Sequence, residues 1–394
     1  MKTYSFDHYK IILDDPIPVI SGGTYEEHQW GPYQFPGLAK TRNGHIMLTC
    51  APPKAQDSVI GYEGTSICGK ASEDGGATWR DIREDDIPVG VIMASGKEYF
   101  KPRPKNAFPA PWIDKYEPIF SRETIRLYRA DEIPEFPRNP EASEYDPVTG
   151  KTEKFSMEVH WPNLAVTLYV NYTMTGERVF PFDNLMGNMG YIIALPDGTM
   201  FMCTYGAGCS AETGEPVDKS FVTVLRSDDC GRHWQYQSQV IPPNEWSAEK
   251  WIEGFCEPCM TRMPDGSVIM LMRTGSGKPS YITRSTDDCR TWSEPVIFDN
   301  CGVFPQLLTM PCGITLASYG RPGVFLRSTS DKAGLAWDTP IDCEVIPGLQ
   351  TCAYTGLLPL DDTTALMTYS HFAWPNADGV PVKTILVRKI HIEM

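Results

Sequence analysis

The octapeptide Ser72–Trp79, SEDGGATW, returns along the chain, and its return limits what the chain can fold into. Ser227–Trp234 reads SDDCGRHW, with Ser, Asp, Gly and Trp at the same offsets. Ser285–Trp292 reads STDDCRTW, with Cys289 at the glycine position, and Ser328–Trp337, STSDKAGLAW, is a stretched fourth copy. A polar turn that ends each time in the largest apolar side chain marks a structural repeat. Ser and Asp side chains bond amides of their own turn, and Gly adopts backbone angles that other residues resist. The Trp is left to fold back and pack between repeats. The motif predicts a clasp remote from any chemistry.

A second element recurs between the clasps: a tight turn followed by an apolar strand. Its copies are TRNGHIMLTC, LPDGTMFMCTYG, MPDGSVIMLMRTG, MPCGITLASYG and LDDTTALMTYS. Asn-Gly and Asp-Gly accept positive φ and signal hairpins. A further strand then leads into the clasp, as in FVTVLRS, SYITRS and VFLRS. The unit holds about four strands in roughly fifty residues, the dimensions of one propeller blade. Helical periodicity beyond two turns is hard to find, which argues against a helical solenoid. A sandwich would not repeat its turn chemistry.

The expected fold is therefore all-β: a six-bladed β-propeller in one domain over residues 1–394, with a long insertion after the first blade. The insertion, about 88–183, is Pro-rich and charged and includes a degenerate blade; a seventh blade inside it stays open as an alternative. The last blade is expected to close by pairing YKIILDD near the start of the chain with the C-terminal KTILVRKIHIEM.

The formal net charge of -15 argues against nucleic acid or an anionic membrane surface as the main partner, since both call for excess Lys and Arg. It leaves room for an acidic ligand held by a local arginine cluster. The first residues, MKTYSFDHYKIILDDPIPV, carry no apolar run of signal-peptide length, and no stretch approaches a membrane span, so a cytoplasmic protein is expected. The twelve cysteines are scattered, many within apolar runs, and read as small buried hydrophobes. The CxxC at Cys256–Cys259 lacks a second pair at finger spacing and is expected to pack. No cofactor or metal is expected. No P-loop, dinucleotide fingerprint, HExxH or GxSxG occurs, so phosphoryl, hydride and serine-hydrolase chemistry find no support. The oligomeric state is not legible.

The clasp matches the Asp-box, S-x-D-x-G-x-x-W, and the chain resembles the sialidase (neuraminidase) superfamily of Asp-box, or BNR-repeat, β-propellers. The resemblance spans roughly residues 28–390 and is weakest across the insertion. It implies site residues by block. FCEPCMTRMPDGSVIMLMRTG is similar to the block with a glutamate before the hairpin and an arginine ending the next strand, which would be Glu257 and Arg273. TCAYTGLLPLDDTTALMTYS resembles the block with the tyrosine nucleophile, here Tyr354. PQLLTMPCGITLASYGRPGVFLRS resembles the block with another carboxylate-binding arginine, Arg321, with Arg327 as the fallback. CAPPKAQDSVIGYEG offers Asp57 as acid/base.

The chain departs from the family at YQFP, where Gln34 stands in place of the first arginine of an aromatic-Arg-Ile-Pro motif. An amide can hydrogen-bond a carboxylate but lacks the charge and the bidentate fork of a guanidinium. His28, in YEEHQWGPYQFPG, is a further candidate for recognition, although a lone His is more often structural. His371 and Trp374, in SHFAWP, offer an aromatic that could stack on a sugar.

The resemblance implies a retaining exo-glycoside hydrolase acting on a terminal acidic sugar, sialic acid or a relative. A tyrosine avoids the repulsion that a carboxylate nucleophile meets beside the substrate carboxylate, and Glu257 would take its proton. Each residue also has a plain reading: a paired buried Glu257, a snorkelling Arg273, a turn arginine at Arg321, a core Tyr354, a surface Asp57. Two alternatives belong to other classes: a lyase acting on uronic-acid glycans, and a non-catalytic carbohydrate-binding propeller.

Overall fold

The structure, a computed structural model, describes residues 1–27, 30–53, 68–101, 115–122, 125–133, 139–169, 180–183, 191–343 and 351–394. The fourth sheet shows how a repeat folds. Cys256–Arg262 and Val268–Arg273 are joined through MPDGS, where Gly266 takes φ 89°. Ser280–Ser285 follows, and the clasp Ser285–Trp292 turns the chain into Val296–Asp299. Neighbouring strands pair antiparallel in chain order. The second strand, VIMLMR, is buried along nearly its whole length, as a strand covered on both faces must be.

The plan recurs. The first sheet holds Gly37–Lys40, Ile46–Cys50, Cys68–Ser72 and Arg80–Asp81. The third holds Ile192–Ala194, Met200–Cys209, Pro216–Ser227 and His233–Val240, with Glu158–His160 added parallel at its outer edge. The fifth holds Val303–Thr309, Thr315–Gly320, Val324–Thr329 and Ile341–Asp342. In the sixth, Thr355–Pro359, Thr364–Pro375 and Pro381–Glu393 are completed by Lys10–Leu13, with Lys10 opposite Glu393. The expected pairing of the two chain ends is thus present.

Two four-stranded sheets are built from the 88–183 region. Val91–Ile92, Glu98–Phe100, Glu141–Asp146 and Lys151–Ser156 form a second sheet. Phe120–Arg122, Ile125–Arg129, Ala165–Tyr169 and Phe180–Asp183 form a separate one. Among the described residues, helix is confined to short 3-10 turns such as Asn244–Ala248.

First strands are neighbours. Gly37–Lys40 lies against Thr355–Pro359, which lies against Val303–Thr309, then Cys256–Arg262, then Ile192–Ala194, which meets Val91–Ile92. The Val89 N–H bonds the Lys40 carbonyl at 2.9 Å, linking second sheet to first.

The clasps form as expected. Ser72 Oγ accepts the Gly76 N–H at 2.8 Å, and Ser227 Oγ accepts that of Gly231 at 2.9 Å. Cys289 keeps the left-handed conformation of the glycine it replaces, φ 59°, and donates its N–H to Ser285 Oγ at 3.0 Å. The stretched fourth copy is still a clasp: Asp331 accepts from Ala333, Leu335 and Ala336 N–H groups, and the Trp337 indole bonds the Gly334 carbonyl at 2.9 Å. Each tryptophan enters a core between two sheets. Trp234 is fully buried against Tyr99, Met200 and Leu225, and Trp337 packs with Leu271, Ala317 and Tyr319. Trp234→Ala is expected to cost about 3–5 kcal/mol, and Trp292→Ala, at a half-buried ring, less. Urea midpoints of the two variants check that order.

Candidate active site

The hairpins bring the start of each first strand beside the end of the second. Glu257 is the second residue of its strand, and Arg273 is the last of the next. Phe304 is the second residue of Val303–Thr309, and Arg321 follows Gly320. Tyr354 directly precedes Thr355, and Gln34 comes shortly before Gly37. All therefore lie at one end of their sheets.

Each of these strand starts carries an L-residue in the left-handed region: Phe35 at φ 55°, Glu257 at 45°, Phe304 at 45° and Ala353 at 60°. Such angles cost on the order of 1–3 kcal/mol each. The ladders slip at the same places, between Cys256 and Cys259 and between Val303 and Gln306. These are β-bulges, which re-aim side chains. Proline follows in three of the four, Pro36, Pro258 and Pro305; Tyr354 takes that place after Ala353.

The bulges converge on one carboxylate. The Tyr354 hydroxyl donates to Glu257 Oε1, and Arg273 Nη1 donates to the same oxygen at 2.9 Å. Glu257 Oε2 accepts the Phe304 N–H at 2.8 Å. The Glu257 and Arg273 side chains are only 5% and 11% exposed. Arg273 Nη2 reaches Glu253 at 2.7 Å. The Phe304 ring stacks on Tyr354 at 4.3 Å, and Phe35 meets it edge-on at 4.8 Å.

Arg321 approaches from the neighbouring turn. It donates to the Cys352 carbonyl at 2.7 Å and to Ser276 Oγ at 2.9 Å, and its guanidinium lies 5.0 Å from the Trp30 ring centre. Gly320 has no room for a side chain, because a Cβ there would lie 2.8 Å from that of Ala353. Arg273 also reaches Ser276 Oγ, at 3.4 Å. Two guanidinia thus meet at one exposed hydroxyl, and the buried Nε of each has no hydrogen-bond partner among the described residues. Such a pair is built for an oxyanion.

Burial, and then the Glu257 charge, hold the Tyr354 hydroxyl well above its ordinary pKa. Burial and the nearby Arg273 push Arg321 down. Burial acts the same way on Arg273, but the Glu257 carboxylate and further anionic neighbours outweigh it and raise it.

Gln34 is fully buried. Oriented by its partners, its amide oxygen accepts from Lys383 Nζ at 2.8 Å and from the Gly31 N–H at 3.3 Å. Lys383 is fully buried too, with its ammonium 4.7 Å from the Phe372 ring centre. Sequence reasoning missed Lys383; its one signal is a lysine inside the apolar run VKTILV. Phe304 and Ser276 were missed as well.

Glu257, Arg273, Arg321 and Tyr354 are brought together, with Gln34 on the same rim through Phe35. Arg327 is not: its guanidinium is taken up by the carbonyls of Asp338, Phe298 and Trp337 beside the fourth clasp, at 2.9, 2.5 and 3.3 Å. Asp57 and His28 lie outside the described residues. His371 is buried edge-on to Trp374 at 5.5 Å, and burial lowers its pKa. Cys256 and Cys259 are buried, their sulfurs bonded within the fold. Among the described residues, no three His, Cys, Asp or Glu side chains are grouped to hold a metal.

Residues 182–312 match the family model of the BNR repeat-like domain. That stretch is similar to BNR repeats. Its fold is similar to that of a protein of unknown function from Dyadobacter fermentans, at 17% identity and TM-score 0.59, with 98% of this chain and 99% of that one covered. A variant of the NanB sialidase from Streptococcus pneumoniae is similar at 14% identity and TM-score 0.46, covering 95% and 70%. The GH93 α-L-arabinofuranosidase of Fusarium graminearum is similar at 13% and 0.48, covering 95% and 97%. No curated protein matches the chain in sequence.

Burial pushes Lys383 down to about 8, below the unfolded lysine value of about 10.4. Between these values the unfolded chain binds more protons, so Lys383 makes stability rise with pH across that window. Lys383→Met is expected to lose that rise. Urea midpoints of both proteins at pH 7.5 and 10 measure it; identical pH dependence would refute it.

Proposed function

We propose that this protein is a retaining, exo-acting glycoside hydrolase that removes a terminal acidic sugar, sialic acid or a relative. The observation that carries the reading is the Tyr354–Glu257 hydrogen bond beside two guanidinia that meet at one point. The first to sixth sheets are read as the blades of a six-bladed propeller over residues 1–394, its inner strands following one another around the axis. The separate sheet of the 88–183 region is the insertion.

Arg273 and Arg321 hold the substrate carboxylate, displacing the Ser276 hydroxyl. That places the anomeric carbon near the Tyr354 oxygen. A hydroxyl so far above its ordinary pKa is a poor nucleophile until its proton leaves, and Glu257 Oε1 is already bonded to take it. As the oxygen–carbon bond forms, the glycosidic bond breaks and its oxygen takes a proton from an acid, the role assigned to Asp57. Water then attacks the glycosyl–tyrosine while the same carboxylate takes its proton. Glu257 returns the first proton to Tyr354. Two displacements at one carbon retain configuration.

Gln34 replaces a direct charge with an amide backed by the Lys383 ammonium. Gln34 is itself fully buried, so it supplies neither the charge nor the fork of a guanidinium at that place. This favours an acidic sugar held chiefly by Arg273 and Arg321.

Tyr354→Phe removes only the nucleophilic oxygen and is expected to cut turnover of aryl sialosides or related keto-acid glycosides by about 10³-fold or more, and Glu257→Gln by about 10²–10⁴-fold. Circular dichroism controls for folding in the second, which leaves Arg273 without its buried partner. Unchanged rates in both variants would end the proposal. NMR of the first-formed product is expected to show the substrate's own anomer. An ultraviolet-absorbing product would mark a lyase instead.

A further inference from the structure

Trp251 is 72% exposed, an unusual position for the side chain with the most to gain from burial. The loop that carries it is not loose. Trp246 anchors it in a triad with Phe255 and Tyr281, its ring centre 5.3 Å from each of theirs. Lys219, buried in the third sheet, donates to the carbonyls of Glu249 and Ile252 at 2.8 Å each. These carbonyls bracket Trp251 on either side. Burying an ammonium is costly unless it is bonded, and here its bonds fix the stretch of backbone that holds the indole outward.

The loop also borders the candidate active site. The Trp251 carbonyl lies so close to Gly275 that a Cβ there would come within 2.8 Å of it. Gly275 precedes Ser276, where Arg273 and Arg321 meet. Glu253, two residues beyond Trp251, bonds Arg273 at 2.7 Å and ties its own N–H to the Thr274 carbonyl at 2.8 Å. Backbone contacts and the Glu253–Arg273 ion pair connect the loop that carries the exposed ring to the anion site.

We infer that Trp251 is a carbohydrate-stacking platform for the sugar joined to the acidic residue held by Arg273 and Arg321. The flat indole face suits the C–H face of a pyranose. Lys250 Nζ lies over one face of the indole, 5.5 Å from its centre, where it suits a sugar hydroxyl, and the sugar ring stacks on the other face. A pre-held aromatic loses little entropy on binding. The substrate is then an oligosaccharide or glycoconjugate whose penultimate sugar is recognised, and the inference rests on the glycosidase reading of the neighbouring site.

The test compares 3′-sialyllactose with methyl α-sialoside by titration calorimetry on Tyr354→Phe protein, which does not turn them over. The trisaccharide is expected to bind about tenfold more tightly. In Tyr354→Phe/Trp251→Ala that advantage is expected to vanish, and in Tyr354→Phe/Trp251→Phe most of it is expected to remain. An advantage that persists without the indole, or that is absent at the outset, overturns the platform. If neither ligand binds, the acidic-sugar reading fails separately. A glycan array probed with the unsubstituted protein and Trp251→Ala then decides: signals lost in the variant support the platform, and unchanged or absent signals overturn it.

Discussion

Glu257 has a backbone angle that its own Cβ resists, and so does Phe304 one sheet away. The hydrogen bond between them, from the Phe304 N–H to Glu257 Oε2, links the two strained positions directly. A bulge in one ladder aims the carboxylate sideways, and a bulge in the next aims an amide at it. Neither distortion improves its own sheet. Together they fix a buried carboxylate that also receives Tyr354 and Arg273. Strain at two strand starts is offset by a set of charge-assisted bonds, two of which, from Tyr354 and Phe304, reach Glu257 from other sheets.

That carboxylate sets the electrostatics of the rest. Glu257 and Glu253 hold Arg273, while among the described residues no carboxylate is bonded to Arg321. Behind Gln34, Lys383 adds another cation. Both cations lie against one run of aromatic rings: Phe372 beneath Lys383, Trp30 beneath Arg321, and Phe35 edge-on to Trp30 and Tyr354. Ring faces tolerate a cation and exclude water. In a chain with net charge -15, this small basic region with apolar walls is where an anion would be drawn.

What was legible in the sequence was local. The clasps are bonded within eight or ten residues, so Ser227, Asp229 and Trp234 announce themselves. The hairpins at Gly198, Gly266 and Gly313 are equally self-contained. Glu257, Arg273, Arg321 and Tyr354 were legible only through family resemblance, because nothing near each of them in the chain says that they meet. Arg327 shows the cost of position without contacts: an arginine beside a clasp served the clasp. Lys383 was illegible because its partner, Gln34, lies at the other end of the chain. The two sheets of the 88–183 region were obscured by strands as short as Val91–Ile92, set among prolines that mimic an unstructured insertion.

One signal was present and unread. Phe35-Pro36, Glu257-Pro258 and Phe304-Pro305 stand at equivalent places in three sheets, each with a left-handed residue before the proline. A residue before proline is disfavoured in the right-handed helical region, so the dipeptide suits a bulge at a strand start. In the sixth sheet the left-handed residue is Ala353, and Tyr354 follows where the others have proline. The repeat thus provides one backbone kink several times and fills it differently: a carboxylate at the first position of the pair in one sheet, a phenol at the second position in another. A single sheet cannot present both groups to each other from one kink. Copies in different sheets, here the fourth and the sixth, can, and the departure from proline at Tyr354 puts a phenol within hydrogen-bond reach of the Glu257 carboxylate.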